Sequence, residues 1–284
     1  MKNEIMNQEQ TTQVTAPNFP PPVGNFEHIN QGTIAVESSR AVAEAQGKLL
    51  IAKRFPRNEI EAFSKVMEAC QRPTLAQKAF YSYPRGNETV QGPTIRFAEE
   101  LARCWGNLDY GIKELSQDNG KSEMQAYCWD LETNTMSVQN FTNPHKKEVG
   151  KTIKELTSLR DIYENNANMA ARRLRARILA VLPSDLVEDA IKECKKTLAG
   201  KNDVPLIDRV KNMVVAFAKL GVTQEMIEAK LNRKIDTMTG EDFSDYIGIY
   251  NSLKEGQSKI SDWFEYEKQA SDLANMIDEM EVVE

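Results

Sequence analysis

Between Leu108 and Asn143 the chain reads as three strand-length runs separated by short turns, and this pattern does most to limit the fold. YGIKELS is followed by DNG, SEMQAYCWDLE by TN, and TMSVQNFTN by Asn143-Pro144. Asn, Asp and Gly supply the backbone that tight hairpin loops need, so the stretch is expected to form an antiparallel meander. Just upstream, AFYSYPRGNETVQGPT places two aromatic or β-branched runs around RGNE, which reads as a separate hairpin.

The rest of the pattern is helical. Residues 34–55 are rich in Ala, Glu, Gln, Lys and Leu and stop at Pro56. Asn58 is a good N-cap for a second helix reaching about Gln71, with an apolar set Ile60, Phe63, Val66, Met67 and Cys70. TIRFAEELARCWG, opened by Gly92-Pro93, carries Ile95, Ala98, Leu101, Ala102 and Trp105 at helical spacing. Asp161 is expected to cap a long helix ending at Leu182-Pro183, and Ser184 a further one to about Leu198. Three or four short helices follow a linker at 199–204, the second capped by Thr223. The fold class is therefore α+β. Residues 1–33, rich in Gln, Asn, Thr and Pro, have too little apolar surface to offset ordering entropy and are expected to be disordered.

Charge divides the chain more sharply than its total of −6 suggests. Residues 1–40 hold 2 basic and 4 acidic side chains, residues 41–201 hold 25 and 21, and residues 202–284 hold 9 and 17. Between Phe141 and Ala180 nine basic residues stand against four acidic ones. A basic middle with an acidic end is the footprint of a polyanion-binding core and an acidic appendage.

Several chemistries are excluded cheaply. Only two histidines exist, His28 and His145, so no histidine-rich metal site and no HExxH can be built. Neither GxxxxGK[ST], GxGxxG nor GxSxG occurs. Cys70, Cys104, Cys128 and Cys194 form no CxxC pair and read as reduced thiols of a cytoplasmic protein. No apolar run reaches membrane-spanning length, and MKNEIMNQEQTTQ has no apolar h-region.

The densest charge is in NMAARRLRARILAVLP, where Arg172, Arg173, Arg175 and Arg177 fall within six positions. At 3.6 residues per turn, Tyr163, Ala170, Leu174, Ile178 and Val181 share one apolar face. Arg173 and Arg177 flank it on one shoulder, Arg172 and Arg175 on the other. Such crowding is repulsive unless anions are near. Those anions are either phosphates, which guanidinium groups hold bidentately, or carboxylates such as Glu164, Asp185 and Glu188. Upstream, residues 145–160 read as a mobile basic connection that extends the same field through Lys146, Lys147, Lys151, Lys154 and Arg160. Phe80, Tyr81 and Tyr83 flank Arg85, which suits stacking of free bases, although aromatics in strands are more often core or cross-strand pairs. Trp105, Tyr127 and Trp129 are assigned to packing.

The order hairpin, helix, three-stranded meander, basic loop and basic helix, from about Ala79 to Leu182, resembles the core of phage single-strand annealing proteins of the RecT/Red-beta class. TVQGPTIRFAEELARCWGNLDYGIKE is similar to that class's strand-to-helix segment and its tyrosine–glycine strand, and ANMAARRLRARILAVLP to its arginine-bearing helix. The stretch VVAFAKLGVTQEMIEAKLNRKIDTMTGEDFSDYIGIYNSLKEG resembles small helical C-terminal modules appended to such recombinases. The resemblance implies a ββ–α–βββ–α annealing and oligomerisation core within residues 34–200, preceded by N-terminal helices and followed by a helical acidic module over 201–284. It implies ATP-independent annealing of complementary strands in phage or prophage homologous recombination, without cofactor, metal or catalytic residue. Single-stranded DNA would lie in a basic groove along a ring or helical filament of identical subunits. A cognate exonuclease and a host single-strand-binding protein are the further partners implied, in the host cytoplasm and away from membranes. The DNA-contacting positions are then Lys146, Lys147, Lys151, Lys154, Arg160, Arg172, Arg173, Arg175 and Arg177, followed by Arg85 and Arg96.

Two other readings stay open. A metal-dependent nuclease would need clustered carboxylates, for which Glu99, Glu100, Asp109 and Glu123 are candidates. A passive single-strand binder or phage assembly factor would need only the basic surface.

Overall fold

A computed structural model describes residues 31–86, 88–149, 152–200 and 204–265, which form an α+β fold. Two units are distinguished, 1–47 and 48–284. In the first, the described residues are the opening turns of helix α1 (Gln31–Arg54), almost all exposed. The expected disorder at 1–33 thus gives way to helix from Gln31, and residues 1–30, His28 among them, lie outside the described residues.

In the second unit α2 (Glu59–Cys70) starts where Asn58 accepts hydrogen bonds from the Ile60 and Glu61 amides. Its buried face is Ala62, Val66, Ala69 and Cys70, whereas Ile60 is 84% exposed, so the apolar set read from sequence is rotated in part to solvent. A single turn, α3 (Pro73–Ala76), leads into the hairpin β1 (Phe80–Arg85) and β2 (Glu88–Pro93). Thr94 caps α4 (Ile95–Trp105), which buries Phe97, Ala98, Leu101, Ala102 and Trp105.

The meander follows as expected, with β3 (Leu108–Asp118), β4 (Lys121–Asp130) and β5 (Thr135–Pro144) paired antiparallel in sequence order. Asn119, Gly120 and Asn134 take the left-handed conformations at its turns. Along β4 the buried residues alternate, so Met124, Ala126 and Cys128 share one face. Tyr127 and Trp129 lie on the opposite face and are half-buried, with the Tyr127 ring packed against Gly111 and Lys113.

Residues 146–155 are not a loose connection. They form a second hairpin, β6 (Lys146–Val149) and β7 (Thr152–Glu155). Helix α5 (Leu159–Val181) then begins after Ser158, with Asp161 inside its first turn, and packs on the meander. Its buried row is Ile162, Asn166, Ala170, Leu174 and Ile178, while Tyr163 is 70% exposed rather than part of the apolar face.

Composition separates residues 201–284 from the core, but the packing of the described ones, 204–265, does not. Helix α6 (Ser184–Ala199) is followed by α7 (Leu206–Ala218), α8 (Gln224–Leu231) and α9 (Gly240–Lys254). These C-terminal helices belong to the same unit and the same apolar core as α2, β1, α4 and α5. Buried side chains of this core, such as Phe80, Phe97 and Phe217, each contribute roughly 1.5–3 kcal/mol by leaving water. Two contacts explain the union. From α7, the buried Arg209 donates to the carbonyls of Leu198 (2.6 Å) and Gly200 (3.0 Å), satisfying the end of α6. On α9, Gly248 lets the helix lie directly on β1, since a Cβ there would stand 2.5 Å from Ser82 Oγ and 3.3 Å from the Phe80 ring.

Candidate nucleic-acid interface

One polar residue interrupts the buried row of α5, and it organises the end of the sheet. The Asn166 amide donates to Ser122 Oγ (2.9 Å) and to Glu114 Oε1 (3.3 Å) and accepts from Asn143 Nδ2 (2.7 Å). Ser122 Oγ also bonds His145 Nε2 at 2.8 Å. The backbone of His145 donates to Gly120 and accepts from Leu156, each at 2.8 Å. His145 is buried here, and its bonds clamp the base of the β6–β7 hairpin to the end of the meander. Buried polar groups that satisfy one another in this way fix geometry, because breaking any bond strands its partner.

The clamp sets the basic hairpin beside α5. Together with the start of α4, Lys78 and the end of α9 they enclose a cleft of about 1140 Å³. Seven cations line it: Lys78, Arg96, Lys147, Lys154, Arg172, Arg175 and Lys254. Four carboxylates line it too: Glu155, Asp161, Glu164 and Glu255. Among the described residues, none of the seven cations forms an ion pair, and Glu155 pairs instead with Lys146 at 3.5 Å. Lys147 and Lys154 are direct register partners across the hairpin. Like charges placed opposite each other destabilise a strand pair, so that placement favours an anion between or above them.

A second cleft, of about 740 Å³ between α2 and α4, makes the contrast. It too carries arginines, but they are spent internally. Arg57 binds Asp130 and Glu132, and Arg72 and Arg103 both bind Glu100. The hydrogen bonds from Arg103, aided by Arg72, draw the Glu100 carboxyl from its ordinary 4.5 down to about 2.

The arginine helix divides much as its periodicity indicates. Arg172 and Arg175 face the large cleft. Arg173 turns to the other shoulder, where its guanidinium lies 4.2 Å from the Phe141 ring centre and donates to the Met169 carbonyl at 2.9 Å. Arg177 has its Nε buried without a hydrogen-bond partner. The intramolecular carboxylate alternative is not realised, since none of the four arginines is ion-paired among the described residues. Arg175 also sits over Tyr81, 4.7 Å from the ring centre. Burial raises the Tyr81 hydroxyl pKa, and the nearby Arg175 charge opposes that rise.

Of the residues singled out from sequence, Arg96, Lys147, Lys154, Arg172 and Arg175 thus converge on one cleft. Arg85, Lys146, Arg160, Arg173 and Arg177 are not part of its lining, and Lys151 lies outside the described residues. Lys78 and Lys254 were missed. Lys78 follows a four-residue helix with no charge cluster around it, and Lys254 comes from the acidic third of the chain.

The four nuclease candidates do not converge. Glu100 is held by two arginines, Asp109 by Lys48, and Glu123 by Lys121 and Thr142. Among the described residues no group of three His, Cys, Asp or Glu side chains is placed to hold a metal ion. No helix among them is long and apolar enough to cross a membrane. No family model matches the chain, and no match is found among curated proteins or solved structures.

Proposed function

We propose that the cleft between α5, the β6–β7 hairpin and α9 binds the sugar–phosphate chain of single-stranded DNA, and that the protein anneals complementary strands without nucleotide hydrolysis. The observation that carries this is the set of seven cations around one cleft without ion pairs among the described residues, against arginines that are all ion-paired in the second cleft. Unpaired lysines and arginines at this density favour a polyanion, whose condensed counterions are released on binding. Backbone contacts of this kind hold a strand in register while carrying no sequence information, as pairing with any complement requires.

The element order supports placing the chain with the single-strand annealing class. Hairpin, helix, meander and basic helix occur in the sequence that the resemblance implies, with an additional hairpin before α5. In this reading copies of the chain line up as a ring or helical filament, so that the cleft continues from one to the next during phage or prophage recombination. Annealing kinetics with complementary fluorescent oligonucleotides test it. The protein should speed pairing in the absence of ATP and magnesium, whereas a passive binder slows it and a nuclease degrades the strands once magnesium is added.

A further inference from the structure

We propose that Tyr83 on the β1–β2 hairpin is a stacking platform for an unpaired nucleobase, so that the hairpin engages bases beside the cations that hold phosphates. The proposal rests on the reading of the cleft as a single-strand site. Side chains alternate along a strand, which puts Phe80 and Ser82 on the α9 side of β1 and Tyr81, Tyr83 and Arg85 on the other. On that second side a row forms. The Arg175 guanidinium, itself in the cleft lining, covers Tyr81. Tyr81 and Tyr83 stack with ring centres 6.0 Å apart and planes inclined by 19°. Arg85 comes next, exposed and without an ion partner among the described residues.

The first ring of the row is held fixed. Opposite Tyr81 stands Gly92, where a Cβ would lie 2.6 Å from the Tyr81 hydroxyl, so only glycine leaves room for that ring. Tyr81 is buried, whereas Tyr83 is half-exposed, and among the described residues no other ring or cation stacks on it. A rigid aromatic column that begins at a cleft cation and ends on a half-exposed ring between two arginines suits a single strand. Every base has a π-face, so such a platform adds affinity without choosing a sequence. Loss of one stacking ring lowers single-strand affinity by roughly 5- to 150-fold.

The test uses the full chain and fluorescence anisotropy with labelled oligo(dT) and an abasic oligonucleotide of equal length. Tyr83→Phe should bind oligo(dT) like wild type. Tyr83→Leu, which keeps an apolar partner for Val90, should bind it about tenfold more weakly with an unchanged salt dependence. On the abasic oligonucleotide wild type and Tyr83→Leu should be equal. Salt-dependent binding that is indifferent to Tyr83→Leu, or a loss of the same size on both oligonucleotides, overturns the stacking role and leaves the cleft reading standing. Absence of salt-dependent binding by wild type removes the cleft reading and this inference with it.

Discussion

The guanidinium carbon of Arg175 lies 4.7 Å from the centre of the Tyr81 ring. This contact joins the basic helix to the aromatic hairpin, two features that stand far apart in the sequence. With the phenol pKa raised by burial, the ring stays neutral at physiological pH, and the contact is cation–π rather than an ion pair. The cation is therefore positioned but not neutralised. Its charge remains available to the cleft.

The Lys147–Lys154 cross-strand pair makes an unusual prediction. Lys154→Glu replaces repulsion with attraction, so hairpin stability should hold or rise, by about 0.2–1 kcal/mol. Affinity for oligo(dT) should fall several-fold at the same time. Thermal melting and anisotropy on the same variant check the opposed signs, and a fall in both would assign Lys154 a structural role.

Helix α9 should be part of the fold rather than a detachable module. Gly248→Val forces side-chain atoms into Ser82 and Phe80 and should cost about 1–3 kcal/mol. Cutting the chain after Gly200 removes Arg209, Phe217 and Phe243 from the shared core and should abolish the cooperative melting of what remains. Calorimetry of the full chain should show no separate transition for residues 201–284. An independent transition, or a well-folded truncation that still anneals, would restore the boundary that composition suggests.

Glu100 makes the acid response testable. Its folded-state pKa is about 2 against an ordinary 4.5, because Arg103 and Arg72 stabilise the ionised form. A lowered carboxyl pKa contributes stability that is fully present above 4.5 and is lost as pH falls towards 2. Glu100→Gln should therefore be less stable than wild type at neutral pH, with the difference shrinking through that window. Circular dichroism melts at pH 7, 4 and 2.5 measure the convergence.

Much of the architecture was legible because turn chemistry and capping are local. Asn119-Gly120 and Asn134 set the meander, and Asn58 and Thr223 start helices with side-chain bonds to their first turns. The split of Arg172 and Arg175 from Arg173 followed from helical period alone. What failed depends on partners distant in sequence. The β6–β7 strands are four residues each, too short for a periodic signal, and they are held by His145, which bonds Ser122, itself bonded to Asn166 of α5. Lys254 enters the cleft only because α9 packs on β1 through Gly248. The acidic composition of the last third concealed that packing, since its described acidic side chains are not buried while Phe217, Phe243 and Tyr246 face inward.

In the proposed function Arg172 and Arg175 face phosphates while Arg173 does not. The most direct test is the salt dependence of oligo(dT) binding for wild type, the double variant Arg172→Ala/Arg175→Ala, and Arg173→Ala. Each phosphate contact on a single strand contributes about 0.7 to the slope of log affinity against log salt. The double variant should bind more weakly and lose up to about 1.4 of that slope, while Arg173→Ala keeps it. An unchanged slope in the double variant, or an equal loss in Arg173→Ala, would show that Arg172 and Arg175 do not hold the strand.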